Sequence, residues 1–172
     1  MKRPSLSTHF APALHPLALA ALLALLPSGA AMALPSGEQV VAGQVAVSRP
    51  GAGQMLIRQQ GDKGIVNWRG FSIGAGEAVR VQQPGASSVL LNRVVGGEAS
   101  QILGRLQANG KLFLVNQNGV LFGRDAQVDV GSLVGSTLDI RDDDFLAGRL
   151  RFAGPQGIGA SASGIVNQGR IS

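Results

Sequence analysis

The sequence contains no cysteine, and its two histidines, His9 and His15, both lie near the N-terminus. Without cysteine the chain forms no disulfide bond. If residues 1–33 are removed, histidine is absent too, so zinc, haem and iron–sulfur sites lose their usual ligands. Ser–His and Cys–His nucleophilic catalysis is excluded for the same reason. We therefore expect no cofactor, no metal site and no catalytic residues of these kinds.

Residues 1–33 are typical of a secretory signal peptide. Residues 2–3 are basic, residues 17–26 (LALAALLALL) form an unbroken apolar run, and residues 31–33 (Ala-Met-Ala) have the small-x-small pattern that signal peptidase accepts. As a helix the run spans about 15 Å, half of a hydrocarbon core of about 30 Å, so a permanent anchor is not expected. A buried core helix is the alternative. The pattern predicts export by the general secretory machinery and a mature chain that begins at Leu34.

The charge pattern does not favour nucleic-acid binding. Residues 34–172 hold 13 of the 15 basic residues and all 10 acidic ones, which leaves a net charge of +3. The arginines are spread singly along the chain: Arg49, Arg58, Arg69, Arg80, Arg93 and Arg105. Trp68 is the only tryptophan. Because nucleic-acid binding needs a basic stripe with stacking aromatic side chains, we interpret the arginines as a solvated face and expect no nucleic-acid partner.

Short β-type runs between Gly and Asn dominate the rest of the chain, which at about 139 residues fits one domain. They lie at residues 54–59, 78–81, 88–92, 111–115 and 127–130. No helical periodicity is sustained, and glycine recurs every few residues. The chain is therefore predicted to be all-β.

The chain also repeats itself at an offset of 49 residues. Residues 66–81 match residues 115–130 at six identical positions, and Ile73 faces Phe122 as a conservative pair. A third copy is predicted to begin at Val166. β-runs at a fixed period indicate a solenoid, and two coils of about 24 residues each suit a three-sided parallel β-helix.

The repeat makes specific predictions about side chains. Four valines should point inward: Val79, Val81, Val128 and Val130. Each coil should stack Val on Val and Asn on Asn, because Asn tolerates corner geometry and its amide can bond to the Asn above it. Gly70 and Gly119 should occupy turn positions with positive φ. An antiparallel sandwich is the alternative fold, which explains the turns but does not predict this register.

Two stretches, GIVNWRGFSIGAGEAVRVQQPGASSVLLNRVVGG and ILGRLQANGKLFLVNQNGVLFGRDAQVDVGSLVGSTLDI, resemble a known family. They are similar to the secretion domain of filamentous-haemagglutinin-type exoproteins, the hallmark of two-partner secretion, also called the haemagglutination activity domain. The resemblance extends from Gly37 to about Asp144. It implies a right-handed parallel β-helix with short capping or extra-helical hairpins. It also implies that residues 34–150 are the secretion domain and residues 151–172 begin the following β-helix repeats of a truncated exoprotein.

The best-known family signature, Asn-Pro-Asn-Gly, corresponds here to Asn116-Gln117-Asn118-Gly119. Gln replaces Pro, and because only Pro fixes φ, the turn geometry is open at this position. The resemblance implies that this motif serves transporter recognition or fold nucleation. A second family motif, Asn-Pro-Asn-Leu, has no counterpart, which points to the branch of high-molecular-weight adhesins and haem–haemopexin-binding exoproteins.

The resemblance also implies a route and a set of partners. The precursor crosses the inner membrane, and in the periplasm its secretion domain is recognised by the periplasmic modules of an outer-membrane β-barrel transporter. The domain then folds outside and nucleates the β-helix of the exoprotein, which is secreted or held at the cell surface. Adhesive, haemolytic or host-ligand binding is expected in a downstream region.

Two alternatives come from other classes of function. A β-helical carbohydrate-active enzyme would gather carboxylates on one face, but Asp125 and Asp129, if on one strand, lie about 13 Å apart. Residues 142–144 are compatible with calcium, although the spaced acidic loop is missing, so we interpret them as a solvated acidic turn. Gly74-x-Gly76 lacks the rest of a dinucleotide motif. We expect no enzyme; a stand-alone surface adhesin is the other alternative.

Overall fold

The computed structural model describes residues 33–154 and 163–172. Residues 1–32 of the predicted signal peptide, and residues 155–162 within the predicted start of the following repeats, lie outside the described residues. The strands are β1 (Gln39–Ala42), β2 (Val45–Gly51), β3 (Gln54–Gln59), β4 (Lys63–Trp68), β5 (Ala78–Gln82), β6 (Val89–Val94), β7 (Ser100–Ile102), β8 (Arg105–Asn116), β9 (Val120–Phe122), β10 (Gln127–Ser136), β11 (Asp139–Ile140), β12 (Phe152–Ala153), β13 (Ile165–Asn167) and β14 (Arg170–Ile171), and the helix is α1 (Asp142–Leu146). Within the described ranges, no helix has the length and apolar character needed to span a membrane.

Parallel pairing stacks the strands into the three faces of a β-helix. The first face consists of β3, β5, the first half of β8, the first half of β10, and β14. The second face consists of β4, β6 and the second halves of β8 and β10. The third face consists of β7, β9 and β13, and Ile73 adds a bridge to Ile102. The predicted right-handed parallel β-helix is confirmed, and the antiparallel sandwich is wrong because every face is built from parallel pairs.

Antiparallel strands occur only at the margins of the described β-helix. β1 pairs with β4 and covers the N-terminal edge of the second face. β2 pairs with β3 and covers the N-terminal edge of the first face. β11 and β12 form a third antiparallel pair, with α1 between them. Covering a sheet edge satisfies its backbone groups and prevents pairing with another chain. These strands are the capping and extra-helical hairpins that were predicted.

The strand alternation buries one apolar column inside the coils. Val79, Val81 and Val128 are buried there, and Val130 is partly buried against the same core. The predicted inward direction of all four valines is confirmed. The end of β4 and the turn that follows it add two aromatic rings, Trp68 and Phe71, which meet edge to face with centroids 5.4 Å apart.

The second face is buried on both sides. Residues 139–153, from β11 through α1 to β12, are here called the extra-helical segment. The outward side chains of the second face, such as Leu91 and Phe113, join a second apolar cluster with Ile140 and Phe145 of this segment. Phe113 lies edge to face with Phe145, at a centroid distance of 5.5 Å. A strand that is buried on both sides reads as a continuous apolar run rather than an alternating one. This accounts for the unbroken run from Leu112 to Val115 in β8.

The 49-residue offset holds on the first and third faces and fails on the second. Val79, Leu106 and Val128 are stacked on the first face, and the predicted Ile73 and Phe122 pair lies on either side of Ile102. On the second face the offset is one residue shorter. The equivalent positions there are Val66, Asn92 and Leu114, followed by Trp68, Val94 and Asn116.

The predicted stacking of Val66 on Val115 and of Asn on Asn is therefore wrong. Val66 belongs to the inner core, whereas Val115 belongs to the outer cluster. The predicted third copy is also wrong, because Val166 pairs with Leu121 on the third face. The cause is that the corners between faces differ in length from coil to coil, and a change of one residue turns every following side chain to the other side of the sheet.

The acidic run at residues 142–144 forms the first turn of α1 rather than a solvated turn. Its carboxylates pair with three different arginines: Asp142 with Arg93, Asp143 with Arg141, and Asp144 with Arg149. Carboxylates near a helix N-terminus are stabilised by the free N–H groups there. Asp125 lies in the turn before β10, so it does not share a strand with Asp129 as assumed in the sequence analysis.

Candidate functional site

The Asn116-Gln117-Asn118-Gly119 motif forms the corner between the second and third faces. β8 ends at Asn116 and β9 begins at Val120. The Gly119 N–H donates to the Asn116 carbonyl at 3.0 Å, which closes a β-turn. Gly119 has a φ of +105°, and a Cβ there would lie 3.0 Å from the Gly164 carbonyl oxygen. The predicted positive φ is confirmed at Gly119, whereas Gly70 is not among the described glycines with positive φ, so that prediction is wrong.

The amide of Asn116 is completely buried and ties this corner to the preceding coil. Its Nδ2 donates to the Glu98 carbonyl at 3.0 Å and to Ser100 Oγ at 2.9 Å. Its Oδ1 accepts from the backbone N–H of Asn118 at 2.9 Å. A side chain that accepts from the backbone two residues ahead fixes the turn without proline. The corner is therefore held by Asn116 and does not need the restraint on φ that a proline at position 117 would supply.

Asn118 makes a second bond to the preceding coil and is otherwise exposed. Its Nδ2 donates to the Gly96 carbonyl at 2.9 Å and lies 3.3 Å from Asn116 Oδ1. Gln117 is exposed to solvent. The motif therefore brings Asn116, Asn118 and Gly119 together as one hydrogen-bonded unit and leaves the Gln117 side chain available at the surface.

Arg93 lies beside the motif and was missed by the sequence analysis, which treated it as part of a solvated face. It helps to line a groove of about 310 Å³, together with Gln117, Asn118 and Asp139. Its Nε lies 2.7 Å from Asp139 Oδ1, and its Nη2 lies 2.7 Å from Asp142 Oδ1. No local pattern marks this arginine, because its acidic partners follow it by more than forty residues.

The same guanidinium also bonds to the Asn67 side chain and to the Ile140 carbonyl. Burial disfavours its charge, but the hydrogen bonds and charges of Asp142 and Asp139 outweigh burial and hold the pKa of Arg93 above its ordinary value. Arg93 therefore joins β4 and β6 to the extra-helical segment. It fixes the wall of the groove next to the motif corner.

We expect Asn116→Ala to lower the free energy of unfolding by about 3 kcal/mol, because it leaves buried partners on the preceding coil unsatisfied. Asn118→Ala removes one bond at an exposed site and should cost about 1 kcal/mol. Urea unfolding followed by far-UV circular dichroism measures both losses. Equal losses would show that Asn116 does not hold the corner as its contacts indicate.

Comparisons with known proteins show similarity to one family and to two curated proteins. The family model described as "TPS secretion domain" matches residues 31–171. The chain is 41% identical over 117 residues to a heme/hemopexin-binding protein of Haemophilus influenzae, a match that covers 66% of this chain and 13% of that protein. It is 44% identical over 107 residues to the protein of the same name in another H. influenzae strain, with 62% and 12% covered. The matched part is about an eighth of the length of these relatives.

A solved structure agrees with the sequence matches. The fold is similar to the crystal structure of the HMW1 secretion domain from H. influenzae, with a TM-score of 0.73 and 33% sequence identity. The similarity covers 78% of this chain and 35% of that one.

Proposed function

The chain belongs to the TPS secretion domain family, and on that premise we propose that an outer-membrane β-barrel transporter recognises it in the periplasm and releases it outside the cell. The observation that carries this proposal is the family match over residues 31–171, together with the structural similarity to a secretion domain. Export by the general secretory machinery with cleavage of the signal peptide at residues 1–33, and a secreted or cell-surface location, are parts of the same proposal. Its role is transport and folding, without catalysis.

A second part of the proposal is that the domain starts the β-helix of the exoprotein. Each coil pairs only with its neighbours, and in such folds structure can begin in one place and propagate. β1 and β2 close the first edge of the β-helix. At the other edge Ile165, Val166 and Ile171 are exposed, and a further coil would cover these apolar side chains. We propose that residues 34–150 are the secretion domain and that residues 151–172 begin the following repeats.

The activity of the whole exoprotein is proposed to lie in further domains. The named relatives are about eight times longer than the matched region, and their names refer to binding of heme and hemopexin. For this exoprotein we propose that a downstream region binds a ligand on the host surface.

We propose that the Asn116–Gly119 motif contributes to transporter recognition or to starting the fold, beyond its role as a corner. The test is to express the chain with a matching transporter and to measure the ratio of secreted to periplasmic protein. Asn116→Ala and Asn118→Ala should lower this ratio by roughly tenfold, more than their stability losses explain, because an extended segment is recognised through its own side chains and backbone.

Asn109 provides a matched control outside the motif. Its side chain also joins two coils at a corner, because its Oδ1 accepts from Gln83 N–H and its Nδ2 donates to the Gln83 carbonyl, both at 2.8 Å. Asn109→Ala should therefore destabilise the fold and leave secretion within about twofold of wild type, since its loss is structural only. If all variants are secreted in proportion to their stability, the motif is a structural turn and nothing more.

A further inference from the structure

The outward side of the first face carries a set of arginine and glutamine side chains, here called the arginine–glutamine face. It comprises Gln54, Arg58, Arg80, Gln82, Arg105, Gln107, Gln127 and Arg170. These residues alternate with the buried column of the same strands. Their side chains project side by side from five parallel strands, so a rigid sheet holds them in fixed positions.

The register places three arginines on one diagonal of this sheet. Arg80 pairs with Leu56 on one side and with Gln107 on the other. Arg58 and Arg105 lie two residues from these partners, in opposite directions. Strand spacing and rise put neighbouring arginines on this diagonal about 8 Å apart and its ends about 16 Å apart. These charges are far apart in the sequence, and only the coil register aligns them.

The positive charge of this face is not neutralised. None of the ion pairs among the described residues involves Arg58, Arg80, Arg105 or Arg170. Arg58 and Arg105 bond only to neutral glutamines, at 3.2 and 3.3 Å, and Asp129 is the one acidic residue of the described part of this face. The rest of residues 34–172 holds nine basic and nine acidic residues, so the net charge of +3 belongs to this face.

Three open grooves run along the face, with volumes of about 570, 310 and 360 Å³. Among the described residues that form the face there is no aromatic side chain, so bases of a nucleic acid find nothing to stack on. Among the described residues of its outward side there is also no large exposed apolar side chain of the kind that an interfacial membrane anchor inserts; Ile171 of β14 is exposed but lies on the inward side of the strand, in register with Val128. Arginine binds sulfate and carboxylate groups with paired hydrogen bonds, and glutamine amides both donate to and accept from hydroxyl groups.

We propose that the arginine–glutamine face binds a linear acidic polysaccharide. Its arginines hold successive sulfate or carboxylate groups along the diagonal, and its glutamines bond to the sugar hydroxyls between them. A polymer with charges at regular intervals suits side chains that a β-helix repeats at regular intervals. This binding is independent of the secretion role and would give the domain a surface activity of its own.

Heparin serves as the probe, and its affinity for the purified full chain is measured by isothermal titration calorimetry at physiological ionic strength. The wild-type chain should bind heparin, bind more weakly as salt is raised, and ignore neutral dextran. The triple variant Arg58→Gln, Arg80→Gln, Arg105→Gln should bind roughly tenfold or more weakly, because three fixed charges are lost. The matched control Lys111→Gln, Arg124→Gln, Arg151→Gln removes the same charge from exposed sites elsewhere and should change affinity by less than about twofold.

Thermal unfolding of both triple variants shows whether the fold is kept. The Arg80 side chain makes no hydrogen bond or ion pair with other described residues. Arg80→Glu therefore tests the centre of the face with least effect on the fold, and it should also weaken binding. No binding of heparin by wild type, or equal losses in the two triple variants, would overturn the proposal. The proposal would also be overturned if the wild-type chain bound a single-stranded oligonucleotide, phosphatidylglycerol vesicles or an acidic protein as tightly as heparin, and if the arginine triple variant lost that affinity to the same extent.

Discussion

Trp68→Ala is expected to lower the free energy of unfolding by about 4 kcal/mol, the largest single-residue loss we expect in this domain. The indole is fully buried in the inner column, where it meets Phe71 edge to face. Its Nε1–H donates to Asn92 Oδ1 at 3.1 Å. The substitution thus opens a cavity between coils and also leaves a buried amide oxygen without its donor. Because Trp68 is the only tryptophan, urea unfolding should be followed by far-UV circular dichroism rather than by fluorescence.

Trp68→Phe separates packing from hydrogen bonding. It keeps an aromatic ring in the column but removes the N–H, so a loss of about 2 kcal/mol is expected from the unsatisfied oxygen and the smaller ring. In the double variant Trp68→Phe with Asn92→Leu, the Asn92→Leu change should destabilise the fold less than it does in the wild-type background. The reason is that Trp68→Phe has already removed the Trp68–Asn92 hydrogen bond. Strict additivity would mean that the Trp68–Asn92 bond contributes nothing to stability.

Arg93→Ala should lower the free energy of unfolding by about 3 kcal/mol and loosen the extra-helical segment. The Arg93 side chain is only 12% exposed, so its removal leaves Asp139, Asp142 and the Ile140 carbonyl without their shared partner. The two carboxylates are 39% and 43% exposed, and water therefore compensates part of the loss, which sets the value at the low end for a buried pair. Amide hydrogen exchange should accelerate in α1 before it does so in the coils.

Arg141→Ala is the matched control for Arg93. Arg141 pairs with Asp143 on the same segment, but these side chains are 79% and 61% exposed, so solvent screens the pair and its loss should leave the free energy of unfolding nearly unchanged. Arg93→Lys keeps the positive charge but loses the planar guanidinium that reaches both carboxylates. Its loss of stability should therefore be closer to that of Arg93→Ala than to zero. If Arg141→Ala destabilises the fold as much as Arg93→Ala, then burial does not determine how much the Arg93 ion pairs contribute to stability.

The sequence alone determined the class of fold and the family. Alternation in Val79-x-Val81 and Val128-x-Val130 is a local property of a strand, and it correctly indicated which side chains point inward. The 49-residue spacing indicated stacked coils, because equivalent residues repeat when coils are similar in length. The positive φ at Gly119 was predictable too, since glycine adopts this conformation in a tight turn without a steric penalty, but the same expectation failed at Gly70.

Only the tertiary structure decided how the faces are aligned. Corner lengths vary from coil to coil, so the offset slips by one residue on the second face, and Val115 points out where Val66 points in. That slip places the amide of Asn116 over Val94 rather than over another asparagine, and its bonds go to the backbone of the preceding coil. Sequence spacing does not contain this information, because each corner is free to gain or lose residues.

The arginines show the same limit most clearly. Read along the chain, Arg58, Arg80, Arg93 and Arg105 are isolated and equivalent. In the fold, Arg93 is half-buried and pairs with carboxylates that lie more than forty residues away, while the other three align on one exposed diagonal. Their surroundings come from residues on neighbouring coils, and contacts at such separations exist only once the coils are stacked in register.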